Sequence, residues 1–100
     1  MPLTRDSWVV ASDDQVHTTL GDETVILGLR DGVYYGLDAV GALVWSLVAT
    51  PRRVSDLVLA VTGEFDVDAE RCERDLLTLI GELAGHGLIR ETAEGGTTPP

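Results

Sequence analysis

The stretch Asp31-Gly32-Val33-Tyr34-Tyr35-Gly36-Leu37-Asp38 decides how this chain folds, because its reading changes from turn to strand to helix cap within a few residues. Arg30-Asp31-Gly32 has the composition of a turn. Val33 to Leu37 then reads as a strand, with Val33, Tyr35 and Leu37 on one face and Tyr34 and Gly36 on the other, since strand side chains alternate. Asp38 carries a short acceptor suited to capping a helix N-terminus. Beyond it Val40, Leu43, Val44, Leu47 and Val48 recur at the spacing of one buried helical stripe. Residue 38 therefore divides a β half from an α half.

Upstream, Val16 to Leu20 and Thr24 to Leu29 are β-rich runs joined by the polar connector Gly21-Asp22-Glu23, the pattern of a hairpin. Together with Val33 to Leu37 they predict a three-stranded antiparallel meander. Trp8-Val9-Val10 is too short to assign. Downstream, Thr50-Pro51 stops the first helix, because the residue before proline avoids the α region. A second helix is predicted over Val54 to Thr62, with Val54, Leu57, Val58 and Val61 on one face and Gly63 as its exit. A third begins at the cap Asp68, with Val67 and Cys72 placed as a hydrophobic staple. It buries Cys72, Leu76, Leu79, Ile80 and Leu83 and ends at Gly85-His86-Gly87, after which Leu88-Ile89 folds back onto the core. Trp45 lies about 100° off the centre of its helical stripe and is expected to extend the core under the sheet, the alternative being that it lines a surface groove. The expected fold class is α+β, a three-stranded antiparallel sheet followed by three helices.

The 100 residues suffice for one domain that buries roughly two-thirds of its unfolded surface. Residues 1–15 are expected to be partly ordered, 16–90 to form the domain, and 91–100 to be a disordered acidic tail with too little apolar content to offset the entropy of ordering it. No apolar run approaches the roughly 20 residues of a membrane span, and Met1 to Ser7 lacks the basic and apolar regions of a secretory signal, so the expected compartment is the cytoplasm. Seventeen acidic residues face seven arginines and no lysine, a formal charge of −10. That field counts against nucleic acid as a partner, since binding there rests on phosphate neutralisation by clustered cations.

The residues that carry chemistry elsewhere are scattered. The glycines form no phosphate loop, and Ser7, Ser12, Ser46 and Ser55 stand in no nucleophile-elbow context. His17 falls on a strand and His86 at a helix end, each suited to a structural role. Cys72 is the single cysteine, and its place in an apolar stripe reads as a small buried hydrophobe, not as a nucleophile. Asp66, Asp68, Glu70, Glu73 and Asp75 are spread around a helix and read as a solvated face. No metal site, no cofactor and no enzymatic activity are expected. The third strand offers something else. In a meander it has one unpaired edge, and Val33 to Leu37 contains neither proline nor charge to block it, which makes it a candidate docking site for an extended peptide.

The order of these landmarks resembles the PqqD-like family. The strand from Asp31 to Asp38 running into Val44-Trp45 is similar to that family's aromatic strand, helix cap and hydrophobic-Trp pair. Val54-Ser55-Asp56-Leu57-Val58, Phe65-Asp66-Val67-Asp68, Asp75 and Gly87-Leu88-Ile89 match its later landmarks, so the resemblance spans about residues 16 to 90. Two positions depart from it. Arg53 stands where the family often has threonine, which leaves Ser55 as the candidate cap, and Asp38 stands for the frequent asparagine.

The resemblance implies a winged-helix-like domain that binds the leader segment of a ribosomally made precursor peptide by strand addition to the third strand, against one flank of the third helix. A stand-alone chain of this length is most similar to the leader-binding proteins of lasso-peptide biosynthesis, which work beside a leader peptidase and a macrolactam cyclase. The implied peptide-binding residues are Val33, Tyr34, Tyr35, Gly36 and Leu37 on the strand, with Arg71, Arg74, Asp75, Thr78 and Leu79 on the helix. Arg71, Asp75, Thr78 and Glu82 form one flank of the buried stripe, and Arg74 and Leu77 the other. The Asp75 flank is the expected one, because the family pattern carries an aspartate there. Two alternatives are a peptide chaperone that serves a radical enzyme in quinone-cofactor synthesis and a winged-helix DNA-binding protein. The second sits poorly with two arginines among four acidic residues on the third helix. A small enzyme using Cys72 is a third.

Overall fold

The computed structural model describes residues 3–92. In chain order the elements are β1 (Trp8–Ala11), β2 (Gln15–Leu20), β3 (Glu23–Gly28), β4 (Tyr34–Leu37), α1 (Ala39–Leu47), β5 (Arg52–Arg53), α2 (Val54–Glu64), α3 (Ala69–Gly85) and β6 (Ile89–Thr92). β2, β3 and β4 form the expected antiparallel meander, followed by the three expected helices. The α+β class follows directly from the change of period at residue 38.

A second sheet accompanies it, in the order β5-β1-β6, with both pairings antiparallel. Its centre is the short Trp8-Val9-Val10 segment, and Val9 is fully buried. Glu91 and Thr92, assigned on composition to the tail, instead pair with Val9 and Trp8. A buried central strand needs partners for its backbone groups on both sides, and that requirement outweighs local composition. The remainder of the predicted tail lies outside the described residues.

The N-terminal segment also closes α2. Arg53 occupies the cap position without a side-chain hydrogen bond. The Val54 N–H donates to the Ser7 carbonyl and the Ser55 N–H to the Arg5 carbonyl, both at 2.9 Å. Two of the amides that a helix start leaves orphaned thus find backbone partners, and Ser55 does not act as the cap. α2 continues through Gly63 to Glu64 and ends where the Phe65 N–H reaches the Val61 carbonyl.

Asp38 and Asp68 cap α1 and α3 as expected, accepting from the Gly41 and Arg71 amides at 2.9 and 3.0 Å. Val67 stays exposed and does not seal the α3 cap. α3 closes with a Schellman turn: the Gly87 N–H donates to the Ala84 carbonyl and the Leu88 N–H to the Leu83 carbonyl, with Gly87 at φ 75°. That left-handed residue turns Leu88 and Ile89 back into the core, where both are buried. Trp45 is buried beneath the sheet, edge-on to His17 at 5.7 Å between ring centroids.

Candidate functional site

β4 is an edge strand, hydrogen-bonded to β3 alone among the described residues. Its phase follows from one bond. The Gly28 N–H donates to the Val33 carbonyl at 3.0 Å, so Val33 turns its backbone toward β3. In an antiparallel ladder, bonded and non-bonded pairs alternate. Tyr35, opposite Ile26, and Leu37, opposite Thr24, therefore also bond inward. Tyr34, opposite Leu27, and Gly36, opposite Val25, turn their N–H and C=O groups to the open edge. Side chains follow the same period: Leu37 is buried, Tyr35 half-buried against the core, and Tyr34 70% exposed.

The turn before β4 is tied by Asp31. Its Oδ1 accepts from the Val33 N–H at 3.1 Å and its Oδ2 from the Tyr35 hydroxyl at 3.3 Å. His86, the C-cap of α3, approaches the same Oδ2 to 3.7 Å, and its ring sits 4.8 Å from that of Tyr35. This cluster pins the start of β4 to the end of α3. Burial, the facing Asp31 charge and the hydrogen bond to Asp31 all disfavour the phenolate and raise the Tyr35 pKa above its ordinary value.

Below the free edge runs a groove made of two cavities that share Gly36, Leu37 and Leu79. The larger, about 720 Å³, lies between the end of β4, the start of α1 and the N-terminal half of α3. Val40, Val61, Cys72, Leu76 and Leu79 give it an apolar floor, and Asp38, Asp66, Asp68 and Asp75 with Arg71 form its rim. The smaller, about 260 Å³, continues toward Tyr34, Tyr35, Glu82 and His86. Cys72 is buried in the floor. Burial first, and the nearby Asp75 charge second, push its thiol pKa up, so it is a packing group and not a thiolate.

The expected residues divide accordingly. Arg71, Asp75 and Leu79 line the groove, which makes the Asp75 flank the one that faces β4. Arg71 and Asp75 approach each other at 3.8 Å, a solvent-exposed pair. Arg74 and Thr78 are exposed outside the walls of both cavities. Val33 precedes β4 and is exposed, its carbonyl already engaged. Val40, Val61, Asp31 and His86 were not among the expected site residues. The pattern of the first two marked them only as apolar helix positions, and no local signal links Asp31 to His86. Among the described residues there is no group of three or more His, Cys, Asp or Glu that could hold a metal ion, and no helix is long and apolar enough to cross a membrane.

Fold and site together define a class of small α+β domain that presents an unpaired strand edge above a helix-lined apolar groove. The chain belongs to the family described as coenzyme PQQ synthesis protein D (PqqD), whose sequence model matches residues 23–89. It is also similar to a solved structure described as TbiB1 in complex with the TbiA(beta) leader peptide, with 38% sequence identity and a TM-score of 0.74. That likeness covers 85% of this chain and 99% of the TbiB1 chain. No curated protein gives a match.

Proposed function

We infer that this chain binds the leader segment of a ribosomally made precursor peptide, which adds as a strand to the free edge of β4 and lies along α3. The observation that carries this reading is the phase of β4: Tyr34 and Gly36 aim their amides and carbonyls at an unpaired edge directly above an apolar groove. The similarity to TbiB1, whose structure contains a leader peptide, supports the same reading.

Energetics divide the work between edge and groove. Two donors and two acceptors, each worth roughly 0.5 to 1.5 kcal/mol net, give only about 2 to 6 kcal/mol. Submicromolar binding needs more than about 8 kcal/mol. The balance comes from apolar leader side chains that point inward onto Val40, Leu76 and Leu79, flanked by Arg71 and Asp75. Tyr35 and Leu37 line the groove under the edge, and Val33 sets the strand's phase from the turn before it. Arg74 and Thr78 meet only leader residues that overhang the groove.

The protein is a binding partner, not an enzyme. It acts in the cytoplasm and presents the captured leader to a leader peptidase and a macrolactam cyclase of a lasso-peptide pathway. Its likeness to TbiB1, which spans 99% of that chain, favours this pathway. A second reading, delivery of a precursor to a radical enzyme, draws on the family description itself. Co-purification with each class of enzyme, with and without precursor, separates the two.

The test of leader binding is fluorescence polarisation with labelled leader peptides encoded beside this chain's gene. One of them is expected to bind with submicromolar Kd and to be displaced by its unlabelled form. Failure of every such leader to bind in the high micromolar range overturns the reading.

A further inference from the structure

Gly36 lies in the middle of the docking edge, and nothing among the described residues requires a glycine there. Its backbone is not in the positive-φ region that Gly21, Gly32 and Gly87 occupy. Among the described residues, and apart from its two chain neighbours, a Cβ built on it would meet no atom within 4 Å. The β3–β4 register runs without a break from Thr24 opposite Leu37 to Leu27 opposite Tyr34, so no bulge explains it either. Glycine in a strand gives up packing and conformational entropy, and it often marks a place where another chain approaches closely. Gly63, Gly81 and Gly85 also face open space, but they belong to helices and not to a strand edge.

The surroundings indicate what would fill the gap. Gly36 points to the sheet face away from the core, where it sits beside Val25 across the ladder and Tyr34 two residues back. Tyr34, Leu27 and Val16 form one cross-strand row on that face, with Tyr34 and Val16 70% and 52% exposed. Removing a side chain at position 36 leaves a notch with Tyr34 and Val25 as its walls. A large side chain on a neighbouring strand can cover such an edge glycine and bury the groups around it.

We propose that Gly36 is a specificity-determining notch, over which the incoming peptide strand lays a large aromatic or branched aliphatic side chain on the outer face of the sheet. This rests on the leader-binding reading above and deepens it. The leader is then held from both faces: its inward side chains enter the groove along α3, and the one opposite Gly36 packs on Tyr34 and Val25. The peptide class follows, an extended segment with bulky residues on both faces at this register.

The experiment uses the full chain and the leader that wild type binds by fluorescence polarisation. Gly36→Val is expected to keep the circular dichroism spectrum and melting temperature of wild type, since its side chain enters open space, yet to weaken leader binding by about tenfold or more through overpacking. An alanine scan of the leader is expected to find one bulky residue whose truncation weakens binding to wild type. The same truncated leader loses far less on the Gly36→Val variant, a coupling that a merely structural role for Gly36 would not produce. Equal affinity of Gly36→Val and wild type, or losses that simply add, overturns the notch and leaves leader binding standing. If Gly36→Val does not fold, Gly36→Ala with the same scan is expected to show the same coupling at smaller amplitude, and purely additive losses there overturn the notch equally. No binding by wild type overturns the leader-binding reading and the notch with it.

Discussion

The Gly28 N–H donates to the Val33 carbonyl at 3.0 Å, and that bond fixes which residues of the next strand face inward. With Val33 committed to β3, the alternation of the ladder commits Tyr35 and Leu37 as well, and leaves Tyr34 and Gly36 with backbone groups for a partner. Neighbouring residues of β4 therefore have opposite duties, and the same substitution at each must have opposite effects.

Proline separates them. At Tyr34 it removes an outward N–H, so Tyr34→Pro is expected to stay folded and to bind leader about tenfold more weakly, the worth of one hydrogen bond. At Tyr35 it breaks a bond to β3, and Tyr35→Pro is expected to destabilise the domain by about 2 to 4 kcal/mol. Denaturant melts and leader titrations of the two variants check both outcomes.

Val9 is fully buried at the centre of the second sheet. Val9→Ala is expected to lower stability by about 2 kcal/mol through lost burial and the cavity left behind. Chemical denaturation measures this, and a variant as stable as wild type would contradict a structural role for β1.

Tyr35 favours its neutral form in the folded protein, because partial burial, the Asp31 charge and the hydrogen bond all oppose ionisation. Its contribution to stability is therefore fully present below the ordinary tyrosine pKa of about 10 and is lost as pH rises through the raised folded value. Ultraviolet titration of a Tyr34→Phe variant, which isolates Tyr35, is expected to give a midpoint above the ordinary value. Adding Asp31→Asn narrows the difference without abolishing it, since the effect of burial remains.

Cys72 combines burial with a raised thiol pKa. Native protein is expected to react with iodoacetamide near neutral pH far more slowly than denatured protein, and leader binding is expected to slow it further by covering the groove. Equal rates in the native and denatured states would contradict the assignment of Cys72 to the groove floor.

The meander and the helices were legible because each rests on local periodicity: alternation from Val33 to Leu37, and three-four spacing after Asp38 and Asp68. The second sheet was not. Arg52 and Arg53 carry no strand pattern and become β5 only by pairing with Trp8 and Val9, while β6 recruits Glu91 and Thr92, which read as tail. Such strands are defined by a distant partner, which a local window does not contain. The site was legible by half. The free edge and the Asp75 flank followed from strand order and the resemblance. The floor from Val40 and Val61 and the Asp31–His86 contact depend on how helices and turn meet in space. Arg74 shared a helix with the groove residues yet lies outside its walls, because neighbours in sequence on a helix point in different directions.

Amide hydrogen exchange resolved by residue, with and without leader, tests the central claim most directly. The Tyr34 and Gly36 amides are expected to exchange quickly in the free protein and to become protected when leader binds, while the Tyr35 and Leu37 amides are protected in both states. Leader that binds tightly while the Tyr34 and Gly36 amides keep exchanging at their free rates would contradict strand addition at β4.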